Sequence, residues 1–247
     1  MDLYRDVIRK SRLGERLVVR LFGTVTHVMT SERVAALTFD DGPDPDSTPR
    51  LLEVLEKYRA KATFFMVGEA ARRNQELVAE VARAGHTIAN HSLSHRPFTS
   101  LGRSQRFHEV RECQRALAPH GRRFFRPPRG YQDLASRIDL MLLGYKVVAW
   151  SVSSRDWLEF DQEQIAGQLL SRVRPGSIIL LHDAIYDAGG GAGGKRHVML
   201  GALEKFLEKI GTQFRFVTLP ELFRIGKPQK THWFRGERTK WPDPEHA

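Results

Sequence analysis

The sequence predicts an α/β fold in which about seven parallel strands, connected by crossover helices, form a barrel-like sheet. Short apolar runs alternate with segments of helical periodicity along most of the 247 residues, which is the pattern of repeated strand–helix units. Gly85 and Gly144 directly follow two of the helical segments, a position where glycine commonly ends a helix. No linker-like segment divides the chain, so we expect one core, for which this length suffices.

The individual elements follow from the two hydrophobic periods. Strands are predicted at residues 34–39, 63–67, 87–90, 124–126, 146–150, 177–181 and 214–217. Helices are predicted at residues 48–58, 75–84, 104–117, 134–143, 162–173 and 198–210. Because parallel strands in such folds share one carboxyl-terminal rim, we expect the functional site there.

An N-terminal helical extension is predicted at residues 1–30, with an amphipathic helix at 3–22. The arginines recur on one helical face: Arg5, Arg9, Arg12, Arg16 and Arg20. We interpret the helix as packed on the body with a solvated arginine face, and a helix lying on an anionic bilayer is the alternative. Residues 1–30 and 224–247 together carry +6 of the net charge of +10, which favours solubility or attraction to an anionic surface.

The predicted catalytic body spans residues 31–226, and residues 227–247 form a basic tail. The tail contains Trp233, Phe234 and Trp241 among basic residues. Aromatic and basic residues together can bind nucleic acid. Because no folded motif accompanies them here, we expect the aromatics to pack on the barrel and expect no nucleic-acid partner.

The composition also bears on the cellular compartment. The single cysteine, Cys113, excludes an intramolecular disulfide and favours a reducing compartment. No apolar run approaches the roughly 18 residues of a membrane span, and acids and arginines interrupt the first twenty residues where a secretory signal would lie. We expect a protein that is cytoplasmic or peripheral at the membrane, and extracellular only if processed. No sequence feature indicates an oligomeric state.

Five polar clusters follow predicted strands and therefore fall on one rim, at residues 40–41, 90–91, 126–128, from 150 onward, and 182–183. In the first cluster Gly42-Pro43 ends the strand at once, so that Asp40 and Asp41 can both be aimed into one site. An acidic turn that only caps the next helix is the alternative.

His91 and His95 predict a metal site. Their spacing of four residues places both imidazoles on one face of a helical turn. With Asp41 they form a two-histidine, one-carboxylate set, which is typical of a catalytic zinc. Such an ion lowers the pKa of its bound water toward ~7. We expect one divalent ion, zinc first, with cobalt, nickel or manganese as alternatives.

The remaining clusters supply an acid–base pair. Asp40, which is not needed as a ligand, is the candidate general base, and Arg126 would keep it ionised. His182 is the candidate general acid for a leaving amine, with Asp156 to orient it and keep it protonated. Trp157 offers a flat face for a sugar ring. The alternative for Arg126 is that it is a surface cation without a catalytic role. The alternative for Trp157 is that it packs in the core.

With these motifs in order, the chain resembles the polysaccharide deacetylases of carbohydrate esterase family four over residues 33–223. The motifs are Thr-Phe-Asp-Asp-Gly-Pro at 38–43, His-Ser-Leu-Ser-His at 91–95, Arg-Pro-Pro-Arg-Gly at 126–130, Ser-Ser-Arg-Asp-Trp at 153–157 and Leu-Leu-His-Asp at 180–183. The resemblance implies a distorted (β/α) barrel and removal of N-acetyl groups from chitin oligomers or peptidoglycan.

The resemblance also implies roles for single residues. Asp40 would be the base, His182 the acid, and Asp41, His91 and His95 the metal ligands. Arg126 and Asp156 would support the base and the acid; Trp157 and Leu180 would line the acetyl pocket; and the backbone N–H of Arg129 would stabilise the oxyanion. Two positions depart from the family pattern: Ser153 stands where an acid is usual, and Arg129 stands where an aromatic is frequent.

These observations predict metal-dependent hydrolysis of the N-acetyl group of an amino-sugar glycan. A deacetylase or deformylase of a lipid-linked amino sugar at the membrane face is the first alternative, and an inactive glycan-binding module is the second. The glycine-rich segment 189–194 follows His182 and is interpreted either as a loop that closes over a glycan or as an insertion.

Overall fold

The computed structural model describes residues 18–186 and 196–233 of the chain. Across these ranges no helix combines the length and the apolar character that crossing a bilayer requires.

Three of the predicted features fall wholly or largely outside the described residues. Of the amphipathic helix at 3–22, only residues 18–22 are described, and they are helical. The glycine-rich segment 189–194 and the tail residues Phe234 and Trp241 lie outside the described ranges. Their interpretations stay predictions.

Strands and helices alternate through the body of the chain. The strands are β1 (Thr24–Met29), β2 (Val34–Asp40), β3 (Ala62–Met66), β4 (Thr87–Asn90), β5 (Gly121–Phe125), β6 (Lys146–Val147), β7 (Val152–Ser153), β8 (Ile178–His182), β9 (Arg215–Phe216) and β10 (Lys227–Thr231). The helices are α1 (Thr48–Lys57), α2 (Gly68–Arg73), α3 (Gln75–Arg83), α4 (Arg103–Ala116), α5 (Leu134–Leu142), α6 (Gln162–Arg172), α7 (Arg196–Ile210) and α8 (Leu219–Ile225).

The described strands confirm the predicted α/β barrel. Seven of them form a curled parallel sheet in the order β6-β5-β4-β3-β2-β8-β7, and β9 adds a short pairing to β2. The helices cover the outside of the sheet. Gly85 and Gly144 have φ of 81° and 76°, as expected for glycines that end helices.

Strand β2 lies at the centre of the core and is buried along its whole length. Leu37 and Phe39 join the cluster that contains residues of α1 and α7. Ala36 belongs instead to a second cluster with Phe65 and Trp150. A strand covered on both faces is expected in a parallel sheet, and it holds the Asp40–Asp41 turn at its end rigidly.

The strand predicted at 146–150 is present but shorter, because β6 ends at Val147. β6 pairs with β5 at one edge of the sheet, whereas β7 pairs with β8 at the other edge. Between them the chain crosses from edge to edge, and the carbonyl oxygens of Val148 and Ala149 accept hydrogen bonds from Arg126 at 3.3 and 2.9 Å. A continuous apolar run satisfies the strand pattern, so the pattern does not reveal the crossing.

Five elements were not predicted: β1, β7, β10, α2 and α8. β1 and β10 pair antiparallel, and β1 also bridges to Val148, which directly follows β6, and to Ser177, which directly precedes β8. The sequence of β10 is Lys-Pro-Gln-Lys-Thr, which lacks the apolar alternation of a strand. Its pairing with β1 compensates for that weak pattern.

Candidate active site

The polar clusters predicted at the strand ends converge on one pocket of about 660 Å³. The predicted site residues that line it are Asp40, Asp41, His91, His95, Arg129, Trp157, Leu180 and His182. Arg126 and Asp156 lie behind this wall, and each is bonded to a lining residue, Asp40 and His182 respectively. The structure therefore brings all ten predicted site residues together, while their chemical roles stay predictions.

The turn after β2 aims two adjacent carboxylates into the pocket. Asp41 leaves the strand with φ of 81°, and its N–H donates to the carbonyl of Phe65 at 3.2 Å. Gly42 is needed behind the turn, since a Cβ there would lie 2.0 Å from Asp183 Oδ2. The reversal breaks the alternation of a regular strand, so that Asp40 and Asp41 share one site.

Asp41, His91 and His95 form a cluster that could hold a metal ion, with ligand atoms all within 4.8 Å of one another. Asp41 Oδ1 lies 3.4 Å from His91 Nε2 and 3.2 Å from His95 Nε2. This oxygen is buried and has no hydrogen-bond partner among the described atoms. A buried acceptor without a donor, facing two imidazole nitrogens, fits a divalent cation such as zinc.

Neighbouring groups orient two of these ligands. His91 Nδ1 lies 2.8 Å from the carbonyl oxygen of Arg126, so this nitrogen is the donor and Nε2 keeps its lone pair toward Asp41. The Tyr186 N–H donates to Asp41 Oδ2 at 3.1 Å, which leaves Oδ1 as the oxygen that faces the histidines.

The predicted helical turn at the two histidines is wrong, because residues 91–97 form a loop. Ser92 and His95 have φ of 68° and 57°, so the left-handed conformation, rather than a helix, brings the rings together. Glu109 on α4 secures this loop: its carboxylate accepts hydrogen bonds from Leu93 N, Ser94 N and Ser94 Oγ at 2.9, 2.9 and 2.7 Å. The sequence analysis missed Glu109, since an acid within a helix gives no such signal.

The electrostatics of the cluster suit metal ligands. Although burial acts in the opposite direction, the neighbouring histidines, among them the protonated His182, hold the pKa of Asp41 well below its usual range. Burial lowers the pKa of His95 to about 4. An ionised carboxylate beside a neutral imidazole is the protonation state that metal binding requires.

Asp40 is paired with a completely buried arginine. Arg126 Nη1 donates to Asp40 Oδ1 at 2.7 Å and to Thr38 Oγ1 at 2.8 Å, and its guanidinium lies 4.2 Å from the centre of the Phe65 ring. The arginine is 0% exposed, so the alternative of a surface cation is excluded. The hydrogen bond from Arg126 fixes the orientation of the Asp40 carboxyl group at the pocket wall.

His182 carries the opposite charge pattern. Its Nδ1 lies 2.9 Å from Asp156 Oδ1, and its backbone N–H donates to Asp156 Oδ2 at 3.0 Å. Although burial acts in the opposite direction, the Asp156 carboxylate raises the pKa of His182 to about 9. His182 is therefore a protonated imidazole at neutral pH, suited to donate a proton.

Arg196, the first residue of α7, completes this half of the pocket. Its guanidinium donates to Asp156 Oδ2 at 2.7 Å, to Asp156 O at 2.9 Å and to His182 O at 3.1 Å. Ser154 Oγ adds a hydrogen bond to Asp156 Oδ1 at 2.7 Å. The sequence analysis missed Arg196, because an arginine just after a glycine-rich segment has no pattern that points to Asp156.

The substrate side of the pocket is mixed in character. The Trp157 ring stands edge-on to His182, with ring centres 5.1 Å apart, and is 39% exposed, so the core-packing alternative is wrong. Leu180 is buried below it. Arg129 lies at the rim with φ of 57°, a conformation that turns its backbone within the Pro-Pro-Arg-Gly segment. Ser153 is buried, where the family pattern has an acid.

The fold and this site define an α/β-barrel enzyme class in which an acidic turn, a histidine pair and an acid–base pair meet at the strand ends. The family model for polysaccharide deacetylases matches residues 27–148. Together with the curated relatives described next, this match shows that the chain belongs to the polysaccharide deacetylase family, carbohydrate esterase family four, and is a hydrolase of the polysaccharide N-deacetylase type.

Named relatives extend the match over most of the chain. It is 36% identical over 208 residues to a peptidoglycan-N-acetylglucosamine deacetylase of Bacillus cereus, covering 82% of this chain and 94% of the relative. It is 38% identical over 164 residues to a chitooligosaccharide deacetylase of Sinorhizobium fredii, covering 65% and 76%. The crystal structure of the Bc1960 peptidoglycan N-acetylglucosamine deacetylase superposes with a TM-score of 0.77 at 30% identity, covering 87% of this chain and 99% of that one.

Proposed function

We propose that the chain hydrolyses the N-acetyl group of an amino-sugar glycan of the chitin-oligomer or peptidoglycan type and releases acetate. The observation that carries this proposal is the pair of oppositely charged groups in one pocket. Asp40 forms an ion pair with Arg126 at 2.7 Å, and Asp156 raises the pKa of His182 to about 9, so that His182 carries a proton at neutral pH. The relatives named for peptidoglycan N-acetylglucosamine and for chitooligosaccharides support the substrate class.

The proposed reaction is an acyl transfer to water. Asp40 accepts a proton from a water molecule, whose oxygen forms a bond to the acetyl carbon. The backbone N–H of Arg129 donates to the carbonyl oxygen as negative charge develops there. The C–N bond then breaks as His182 transfers its proton to the departing nitrogen, leaving acetate and a free amino sugar. Trp157 and Leu180 line the space for the acetyl group and the sugar.

We also propose a divalent ion at Asp41, His91 and His95. When bound, such an ion acts as a Lewis acid and lowers the pKa of water. Two imidazole nitrogens and one carboxylate suit zinc first, and cobalt, nickel and manganese also bind such sets. The orphaned Asp41 Oδ1 supports this assignment, and the second half of the reaction relies on His182 rather than on the ion.

An acetate-release panel tests the function. The substrates are chitin oligomers, peptidoglycan fragments and lipid-linked amino sugars, each with chelator and with added zinc. We expect acetate from a glycan substrate, loss of release with chelator and recovery with zinc. Release from the lipid-linked sugar alone would replace the proposed substrate class, and release that chelator leaves unchanged would remove the metal from the proposal.

Two variants test the acid–base assignment. Asp40→Asn and His182→Ala should each lower turnover by about 10²–10⁴-fold, the usual contribution of general acid–base catalysis. Zinc binding, measured by calorimetric titration, should persist in both. His108→Ala, an exposed histidine on α4, is the matched control and should leave turnover unchanged. Full turnover in either test variant would remove that residue from the mechanism.

A further inference from the structure

A groove of about 1100 Å³ lies at the amino ends of β4, β5 and β6, opposite to the active-site rim. Its lining carries four exposed cations: Arg122, Arg123, Lys146 and Arg224. No aspartate or glutamate is among the described residues that line it. We call this surface the basic end.

Two of these cations, Arg123 and Lys146, contact a carbonyl and aromatic rings. Arg123 donates to the carbonyl of Leu143 at 3.1 Å and lies over the Tyr145 ring. Lys146 Nζ lies 5.0 Å from the centre of the Phe223 ring. Carbonyls and rings position a cation without neutralising its charge. Elsewhere in the fold cations do meet carboxylates, as Arg215 does with Glu32 and Glu221.

The pKa of the nearby Lys230 is affected by these positive charges. The pKa of Lys230 is lowered by burial and, in addition, by the charges of Arg137 and Lys146. A like charge nearby disfavours the protonated form of a lysine. The surface beside β6 therefore has a positive potential.

Large apolar side chains are exposed around the same end. Met141 and Leu142, at the end of α5, are 43% and 59% exposed, and Leu142 directly precedes the residue whose carbonyl holds Arg123. Met29 is 61% exposed and lies across from Lys227 in the β1–β10 pair. Trp157 and Leu158 are exposed too, but they line the active-site pocket.

We propose that the basic end docks on an anionic lipid bilayer. The four cations would contact lipid phosphates in and around the groove, while Met29, Met141 and Leu142 would enter the headgroup boundary. Cations flanked by exposed apolar side chains are typical of interfacial binding. A soluble polyphosphate chain matches the charge but gives the apolar side chains no role. None of these residues belongs to the amphipathic helix predicted at residues 3–22.

Docking in this orientation has a consequence for the substrate, which rests on the proposed function. The active-site pocket opens at the carboxyl ends of the strands, so it would face away from the bilayer. A glycan polymer beyond the membrane surface could reach it, whereas a sugar held at the lipid headgroups could not. The orientation therefore favours the polymeric substrate over the lipid-linked one.

Vesicle co-sedimentation of the full chain tests the docking surface. Vesicles of phosphatidylcholine are compared with vesicles that also contain phosphatidylglycerol. We expect binding only with the anionic lipid, weakening as salt rises. In Arg122→Gln/Arg224→Gln binding should fall by roughly tenfold or more, since each surface cation contributes about fivefold. Arg50→Gln/Arg111→Gln removes the same charge from α1 and α4 and should bind as the wild type does.

A second variant separates a bilayer from a soluble polyanion. Met141→Gln/Leu142→Gln should lose vesicle binding while it keeps whatever affinity the wild type has for inorganic polyphosphate. Acetate release from a soluble chitin oligomer, and the unfolding midpoint, report that the fold is intact and are independent of docking. Failure of the proposed function would abolish release in the wild type but would leave vesicle binding untouched.

Three results would overturn the proposal. The first is no binding of the wild type to anionic vesicles. The second is wild-type binding by Arg122→Gln/Arg224→Gln, with loss instead in Arg9→Gln/Arg16→Gln, which would assign the contact to the N-terminal helix. The third is binding of polyphosphate but not of vesicles, which would make the surface a site for a soluble polyanion.

Discussion

Each half of the active-site pocket pairs a reacting side chain with a buried partner of opposite charge, and the two pairs have reversed polarity. In the base half, a buried arginine is paired with Asp40, with Nη1 and Oδ1 2.7 Å apart. In the acid half, a buried aspartate holds His182 as a cation, with Nδ1 and Oδ1 2.9 Å apart. Asp40 and His182 are register partners on the adjacent strands β2 and β8. One rim of the sheet thus keeps a proton acceptor and a proton donor side by side.

The two halves differ in how they are built into the fold. Arg126 is 0% exposed and also holds the carbonyls of Val148 and Ala149 where the chain crosses between sheet edges. Asp156 follows β7 and is held from outside the sheet by Arg196 at the start of α7. We infer that the base half is tied to the stability of the barrel, whereas the acid half can be altered with effects mainly on proton transfer.

Removing the cation of the base half should have the largest effect. Arg126→Met leaves Asp40 as a buried charge without its partner and frees two carbonyls. Breaking a buried ion pair in this way costs about 3–5 kcal/mol in the free energy of unfolding. We expect a lower urea midpoint and no measurable acetate release.

A double-mutant cycle sharpens this test. Asp40→Asn in the Arg126→Met background removes the stranded charge, so part of the lost stability should return while activity stays absent. Glu109→Gln is not a suitable control because it disturbs the histidine loop. Arg111→Met, an exposed arginine on α4, is suitable and should change the midpoint little. Equal destabilisation by the single and double variants would show that Asp40 is not charged in the fold.

Neutralising the anion of the acid half should act on pH dependence instead. In the wild type the pKa of His182 is raised from 6.5 to about 9, so its proton is available up to that pH. In Asp156→Asn the raising charge is gone while burial remains, so the alkaline limb of kcat/KM should move to about 6.5 or below. At about pH 8 this lowers the protonated fraction roughly 30-fold.

The raised pKa of His182 also makes the free energy of unfolding depend on pH. A pKa raised on folding contributes stability that is fully present below the unfolded pKa of 6.5 and is lost as pH rises through about 9. The difference in unfolding free energy between wild type and Asp156→Asn should therefore shrink between these values. Ser154→Ala removes the two hydrogen bonds between the Ser154 hydroxyl and Asp156 but no charge, and should leave the limb near its wild-type position. A limb that stays near pH 9 in Asp156→Asn would show that another group sets it.

Much of the site could be predicted from the sequence because its reacting residues directly follow predicted strands. The turn at Gly42 and the apolar run before His182 are local signals, and parallel strands necessarily bring such ends to one rim. The base and acid could therefore be placed together from sequence alone. The barrel followed from the same alternation of periods, without any knowledge of the β1–β10 pair.

What the sequence did not predict depends on contacts between distant residues. The spacing of His91 and His95 fits a helical turn as well as it fits a loop, and the hydrogen bonds that Leu93 and Ser94 donate to Glu109 stabilise the loop. The crossing after Val147 depends on donors from Arg126. Such partners leave no periodic trace, so residues that act through another side chain were the ones missed.

Arg196 illustrates the point and gives the smallest expected effect. Its guanidinium shares the Asp156 carboxylate with His182. In Arg196→Gln that sharing ends, so the negative charge acts more fully on His182 and the pKa of the imidazole should rise. The alkaline limb of kcat/KM should then move up, opposite to its direction in Asp156→Asn.

A purely structural role for Arg196 would have a different effect on stability and on the pH profile. If Arg196 only braced α7, its loss would lower the unfolding midpoint and leave the pH profile unchanged. As a positioning residue for Asp156, its loss should lower kcat a few-fold, leave KM nearly constant and shift the limb upward, and Arg196→Lys should restore the limb because it keeps the charge. A downward shift in Arg196→Gln would mean that Asp156 has moved away from His182, and the acid half would then depend on α7 as strongly as the base half depends on the sheet.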